Sequence, residues 1–387
     1  MNDFLILGGT IIDNFAFVKN RCLAVSKGKI QFIIPPEKTS AKAIINAEGY
    51  YICPGLIDMH VHGGNGADVL DCDPDSLERI LSYHGRNGTT GIILTIAPAP
   101  FEQMALALET AAGYKGKDKG PLILGLHLEG PFLNPSFCGA LNSVYFSPPD
   151  CFKAAELLAA SRRYLKTVTL APELPGCLKL VEMLASDGII VSCGHSAAGY
   201  ETTLEAGNAG LTHFTHIFNA MAGIHHRKPG PVGAALSRDT FSVEVIADGY
   251  HVHPSLLKML WMTKGKRLSL ASDAIWAAGL PEGLYKHDVQ TLKVSGGKAT
   301  IANGRLAGNT TALLDTVKIM INLVGLTLPQ AIYLASTSPA RILGLSDKGR
   351  LAPGFDADLL LLDPALNPFL VMAGGRVIYH KNTNLVF

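Results

Sequence analysis

The 387-residue chain has almost no net charge: 33 Lys and Arg face 32 Asp and Glu, a balance of +1. That excludes an extended electrostatic grip on nucleic acid or on an anionic membrane. No apolar run reaches the ~18 residues of a membrane span; the run 359–362 is closed by Asp358 and Asp363. Cysteine is sparse, with seven residues at 22, 53, 72, 138, 151, 177 and 193 and no C-x-x-C pair. An odd, scattered set is neither a disulfide framework nor a cysteine zinc site, so reduced thiols and a cytoplasmic location are expected. The opening MNDFLILGGT carries Asp3 and no basic run, and does not read as a secretion signal. Internal repeats and low-complexity segments are missing. So are a P-loop and a G-x-G-x-x-G turn, which argues against a doubly wound nucleotide-binding sheet.

What is present is a full core and many turns. Hydrophobic residues make up 48%, with 40 Gly and 22 Pro, so disorder is excluded. The first fifty residues read as short strands: Leu5–Leu7, Thr10–Ile12, Cys22–Val25, Lys29–Ile34 and Ala43–Ile45. Gly8-Gly9, Lys27-Gly28 and Pro35-Pro36 punctuate them. The last forty residues look alike, with Leu359–Leu362, Pro368–Met372 and Val377–Tyr379. Neither end has strands enough for a sound sheet of its own, so 1–53 and 350–387 are expected to join as one small β domain. Between them, strand-like runs alternate with helical stretches such as Phe152–Leu165 and Leu178–Ser186. The runs are Thr90–Ile96, Leu122–Leu128, Thr167–Ala171, Ile189–Cys193, Leu211–Thr215, Val243–Ala247 and Arg267–Ala271. Alternating β and α over 54–349 predicts an α/β fold of the (β/α)₈ barrel type.

The chemistry-bearing residues follow this pattern. His60 and His62 are two apart in a strand, so they share a face, and two adjacent imidazoles at a strand end make half of a metal site. Alone, the pair is a weak signal, and two ordinary polar histidines are the plainer reading. Recurrence carries the argument: Glu129, His195, His216, His251 and Asp273 each end or follow a predicted strand. Barrel enzymes place their active-site residues there. A His, Glu and Asp set without thiolates suits Zn²⁺, Fe²⁺ or Mn²⁺. His127 reads as a barrel-interior histidine, His213 as structural, His84 as an ordinary helix residue and Cys193 as core filler. Asp58 either orients a histidine or closes a turn. The basic stretch His225-His226-Arg227-Lys228 is a solvated loop or a local anion site.

These motifs together resemble the amidohydrolase superfamily and, within it, the N-acetylglucosamine-6-phosphate deacetylases. The resemblance covers nearly the whole chain. Its carriers are PGLIDMHVHG (54–63), HLEGPFLNP (127–135), GHS (194–196), THIFNAM (215–221), HHRKPGPVGAAL (225–236), ADGYHV (247–252), SDAIWAAG (272–279) and LAG (306–308). It implies a barrel plus a β-sandwich built from both chain ends, and a metal-dependent hydrolase that removes the acetyl group from an amino-sugar phosphate. It implies Glu129, His195 and His216 as principal metal ligands, and His60 and His62 as the pair found in two-metal members. Zinc comes first, with iron, manganese or cobalt as alternatives. Asp273 is implied as the catalytic acid and base. Asn219, Ala220, Arg227 and His251 match the sugar-phosphate contacts, and Leu306, Ala307 and Gly308 a substrate-facing loop. A homodimer, with the basic loop near its interface, is also implied.

One departure stands out. Where the family continues to Gly-Ala-His, this chain has Gly139-Ala140-Leu141. Ala140 and Leu141 therefore line the expected substrate site, but Leu141 cannot donate a hydrogen bond. That leaves room for a related substrate such as N-acetylgalactosamine 6-phosphate, or for a divergent amidohydrolase.

Overall fold

The computed structural model describes residues 2–381 except 20, 35–39, 117–119, 288–289 and 303. The Pro35-Pro36 turn lies outside the described residues. Eight parallel strands form one sheet: β1 (Leu56–Val61), β2 (Thr89–Ile96), β3 (Leu122–Glu129), β4 (Leu165–Leu170), β5 (Ile190–Cys193), β6 (Leu211–Phe214), β7 (Ser242–Ile246) and β8 (Leu268–Ala271). Each strand pairs with its neighbour in chain order. The sheet closes just beyond β8. Asp273 donates its N–H to the His60 carbonyl at 3.0 Å, and His62 donates to Ala274 at 2.9 Å. Asp58 is buried inside this seam and accepts the Ser272 N–H at 3.1 Å. Its carboxylate closes the barrel through backbone and does not orient a histidine ring.

The strands are apolar because both faces are covered, as parallel barrels require. The helices Pro74–Arg86, Phe101–Gly113, Cys151–Ala160 and Cys177–Ser186 pack outside. The predicted helix Phe152–Leu165 overruns. Its last turn ends at Ser161, and Arg162 and Arg163 take left-handed φ values of 48° and 69° before Leu165 opens β4. His84 is on a helix as expected, but it is buried and its Nε2 lies 3.0 Å from the Gly63 carbonyl. Among the described residues, no helix is long and apolar enough to cross a membrane.

Two further sheets come from the chain ends. Lys29–Ile34, Cys22–Ser26, Asn2–Leu7 and Ala41–Asn46 form a four-stranded sheet. The N-terminal segment thus does hold a sheet of its own, contrary to expectation, because Asn2–Leu7 pairs on both edges. The second sheet mixes the ends: Leu359–Leu362 runs antiparallel to Tyr51–Pro54 on one edge and to Pro368–Ala373 on the other. Leu359 and Leu361 join Ile6, Leu23 and Ile52 between the two sheets, which form a β-sandwich. Leu360 and Leu362 face the barrel core instead, as the two-residue period of a strand dictates. A four-stranded antiparallel insert, from Gly283–His287 to Leu306–Asn309, follows β8. Its last strand, Leu306–Asn309, holds the residues Leu306, Ala307 and Gly308 that are expected in a loop.

Burial drives the Asp58 carboxyl up to about 7, against hydrogen bonds from Ser272 and His60 that favour its charge. The ordinary value is about 4. A raised folded-state pKa contributes stability that is full below that value and lost as pH climbs through about 7. Asp58→Asn keeps the acceptor for Ser272 and cannot ionise. In metal-free protein, its urea midpoint relative to wild type is expected to improve between pH 5 and pH 8. A difference that stays constant with pH would show that Asp58 bears no buried charge.

Candidate metal centre and active site

The C-terminal ends of the strands bring the chemistry together. Glu129 is the last residue of β3, and His62 lies one residue past β1. His195, His216 and Asp273 each stand two residues past the ends of β5, β6 and β8. All three take left-handed backbone, with φ of 48°, 30° and 50°. Such positions cost of order 1–3 kcal/mol each for non-glycine residues. They turn the chain sharply off the strand and aim each side chain at the barrel axis.

The resulting donors form two adjoining groups, His60, His62 and Asp273 in one and Glu129, His195 and His216 in the other. His195 Nε2 and His216 Nε2 are 3.1 Å apart, and each lies within 3.2 Å of Glu129 Oε1. His60 Nε2 and His62 Nε2 are also 3.1 Å apart, each 3.4 Å from Asp273 Oδ1. Glu129 Oε2 lies 3.2 Å from His62 Nε2, so this carboxylate spans both groups. Nitrogens about 2.0–2.1 Å from one tetrahedral zinc ion stand roughly 3.3 Å apart, close to these spacings. The far nitrogens complete the fit. His60 Nδ1 is 2.7 Å from Glu244 Oε1, and His195 Nδ1 is 2.8 Å from the Phe137 carbonyl. Both acceptors place the proton on Nδ1 and leave the Nε2 lone pair facing inward. The donor set fits a divalent metal.

Burial opposes the charge on Glu129, but His60, His195 and His216 outweigh it and hold its carboxyl well below the usual range. Burial likewise opposes ionisation of Asp273, and His60 and His62 bring it down. Burial lowers His62, yet Asp273 and Glu129 lift it to about 9. His127 is the opposite case: burial and His60 depress it to about 3, and Thr95 and Thr169 hold its ring at 3.2 and 2.7 Å. It is an interior histidine, as expected, and His213 is held by Ser242 at 2.8 Å.

The other candidates surround this centre to different degrees. Gly308 abuts Asp273: a Cβ there would come within 3.0 Å of the Asp273 carbonyl. Leu306 and Ala307 precede it on the same strand. Gly139 approaches both Ala220 and the His195 ring, Ala140 packs against the Trp276 cluster, and Leu141 is half-buried. Asn219 donates to the His251 carbonyl at 3.2 Å, and its Oδ1 is buried with no partner. Arg227 is exposed on the turn His225–Lys228, and among the described residues it hydrogen-bonds His225 and His226. It is not brought to the donor groups.

A scan of family models matches the amidohydrolase family over residues 51–380. The chain belongs to the amidohydrolase family. This amidohydrolase is 37% identical to the N-acetylgalactosamine-6-phosphate deacetylase of Escherichia coli O157:H7, over 87% of this chain and 89% of the relative. It is 32% identical to the N-acetylglucosamine-6-phosphate deacetylase of Bacillus subtilis, over 97% of both chains. A mutant N-acetyl-D-glucosamine-6-phosphate deacetylase from Mycobacterium smegmatis, solved with N-acetyl-D-glucosamine-6-phosphate, superposes with a TM-score of 0.90 at 30% identity. That match covers 98% of this chain and 100% of the other.

Three acids of the amidohydrolase site escaped sequence reading. Glu244 holds His60 from β7. Asp248 holds His251 Nδ1 at 2.6 Å. Glu173 accepts from Asn134, Ser196 and Ala197 at 2.9, 2.7 and 2.6 Å, tying the loops beside His195. A lone acid in the apolar stretch Ser242–Ile246 was the available signal for the first.

Metal ligands must be neutral imidazoles, whereas His60 and His62 hold raised pKa values in the metal-free protein, His62 at about 9. Zinc titrated into metal-free protein at pH 7 is therefore expected to expel protons, and its apparent affinity to rise with pH toward 9. A pH indicator in weak buffer measures the release. Zinc uptake without released protons would contradict the assignment of these histidines as ligands.

Proposed function

We propose that this amidohydrolase hydrolyses the N-acetyl group of N-acetylglucosamine 6-phosphate to give glucosamine 6-phosphate and acetate. The observation that carries the reading is the convergence of four histidine Nε2 atoms on Glu129 and Asp273 at the barrel mouth. The substrate class, an N-acetylated amino-sugar 6-phosphate, is supported by relatives 37% and 32% identical over most of the chain, and the glucosamine derivative by the second of them and by the Mycobacterium smegmatis complex. In this reading, 54–349 is the catalytic barrel, and 1–53 with 350–387 the sandwich. The enzyme works in the cytoplasm as a homodimer.

Glu129, His195 and His216 would hold the principal ion, and His60 and His62 with Asp273 a second, zinc suiting the histidine-rich set best. The ion would polarise the amide carbonyl and bring the pKa of a water toward 7. Asp273 is ionised at neutral pH, because His60 and His62 overcome its burial. It takes the water's proton and returns it to the departing amine, which must leave protonated. Gly308 packs so closely on Ile275 and the Asp273 carbonyl that a Cβ has no room there, which keeps the strand 306–309 against Asp273. The loop Gly139-Ala140-Leu141 lies along the acetyl side, and Asn219, Ala220, Arg227 and His251 hold the sugar phosphate. Binding energy from the remote phosphate then positions the amide.

Asp273→Asn is expected to keep the fold and the ion held by Glu129, His195 and His216, and to lose about 10²–10⁴-fold in acetate release; near-normal turnover by the variant loaded with that ion would overturn its role. Arg227→Ala is expected to cost about 10–100-fold in kcat/KM on the phosphorylated sugar, and little on plain N-acetylglucosamine. An equal loss on both would make Arg227 structural. The galactosamine epimer is the second reading, favoured by Leu141 and by the 37% identity to the Escherichia coli enzyme. Measuring kcat/KM on both 6-phosphates separates the two, and a clear preference for the galactosamine derivative would move the assignment to it.

A further inference from the structure

Glu244 sits in the middle of β7, 3% exposed, and faces the barrel interior behind the metal donors. Its Oε1 accepts from His60 Nδ1 at 2.7 Å and from the backbone N–H of His216 at 3.2 Å. Its Oε2 lies 3.5 Å from His213 Nε2, whose ring is anchored to Ser242. One buried carboxylate therefore touches one residue of each donor group: the ring of His60 in the first and the backbone of His216 in the second. Its contact with His60 is to the nitrogen turned away from the centre.

We propose that Glu244 is a positioning residue that fixes His60 as an Nε2 ligand and sets the spacing between the two donor groups. The proposal rests on the metal-centre reading above. An ionised carboxylate can only accept, so the nitrogen facing it must carry the proton. That leaves the His60 lone pair on Nε2, toward His62 and Asp273. The backbone contact acts on the other group. His216 stands at φ 30°, a left-handed turn that takes its N–H out of the strand ladder. Glu244 receives that N–H and holds the turn. Its own main-chain carbonyl accepts from Ile217 at 2.9 Å, so β7 grips the segment 216–217 twice. A leucine would fill the same space without burying a charge. Filling therefore does not account for a glutamate here, whereas orientation of two donors does.

The test compares wild type, Glu244→Leu and Glu244→Gln by zinc titration against a competing chelator, with circular dichroism as the check on folding. Histidine ¹⁵N spectra of the zinc-loaded proteins report the tautomer of His60. Glu244→Leu is expected to lose about 10–100-fold in affinity for the ion on the His60 side. Glu244→Gln has an amide oxygen that can accept both N–H groups and an NH₂ that faces His213. It is expected to keep most of the affinity and the His60 Nδ1 proton. Wild-type zinc affinity in Glu244→Leu overturns the proposal, and so does a wild-type His60 bound to zinc through Nδ1. If Glu244→Leu fails to fold, the His60 tautomer in wild type and Glu244→Gln decides: Nδ1 protonated in both supports the proposal, and Nδ1 bare in either overturns it. Failure of wild type itself to bind zinc would bring down the metal-centre reading along with the proposal. Binding of two ions by both wild type and Glu244→Leu would bring down only the role of Glu244.

Discussion

The carboxylate of Glu129, 2% exposed at the end of β3, has the imidazole nitrogens of His60, His62, His195 and His216 within 3.7 Å. A buried charge without partners costs far more than any single contact returns. Four strands therefore have to end in register around this one side chain. The far nitrogens are fixed in turn, by Glu244 for His60 and by the Phe137 carbonyl for His195. The loop 134–141 is thereby tied to the centre, which places Gly139 against the His195 ring.

The strand ends meet this demand at local expense. His195, His216 and Asp273 all adopt a backbone that non-glycine residues avoid. The closing seam adds a further conflict, since Asp58 is buried against backbone N–H groups beside the metal donors. Local preference and global arrangement disagree most at functional positions. The cost is spread over a barrel whose strands are otherwise apolar throughout.

The sandwich holds the first of these strands in place. Gly55, just before β1, donates to the Asp358 carbonyl at 2.9 Å, and Asp358 is itself paired with Lys348 at 2.9 Å. The alternation in Leu359–Leu362 joins two cores through one strand, with odd positions in the sandwich and even positions on the barrel. The start of β1, and with it His60 and His62, is thus anchored from the distant end of the chain.

Strand identity and order were legible in the sequence, because apolar runs separated by helical periodicity leave few ways to bury both faces. The convergence of acid and histidine side chains was legible too, since Glu129, His195, His216 and Asp273 each stand at or just past the C-terminal end of an apolar run. The N-terminal sheet was under-read, since pairing is a property of two segments and no single run of residues states its partner. The helix Cys151–Ala160 is shorter than its pattern, because the left-handed turn at Arg162 and Arg163 has no residue signature. The roles of Glu244, Asp248 and Glu173 were hidden for a related reason: a lone acid in an apolar strand marks Glu244 as unusual, but only the fold shows which histidine or backbone N–H each acid meets. By itself the sequence determined the barrel and the place of its acid and histidine side chains at the strand ends, both of which are set by periodicity along the chain. Only the tertiary structure decided the closing seam, the second-nitrogen partners and the sheet shared by both ends, because those contacts join residues far apart in the chain and are set by distance in space.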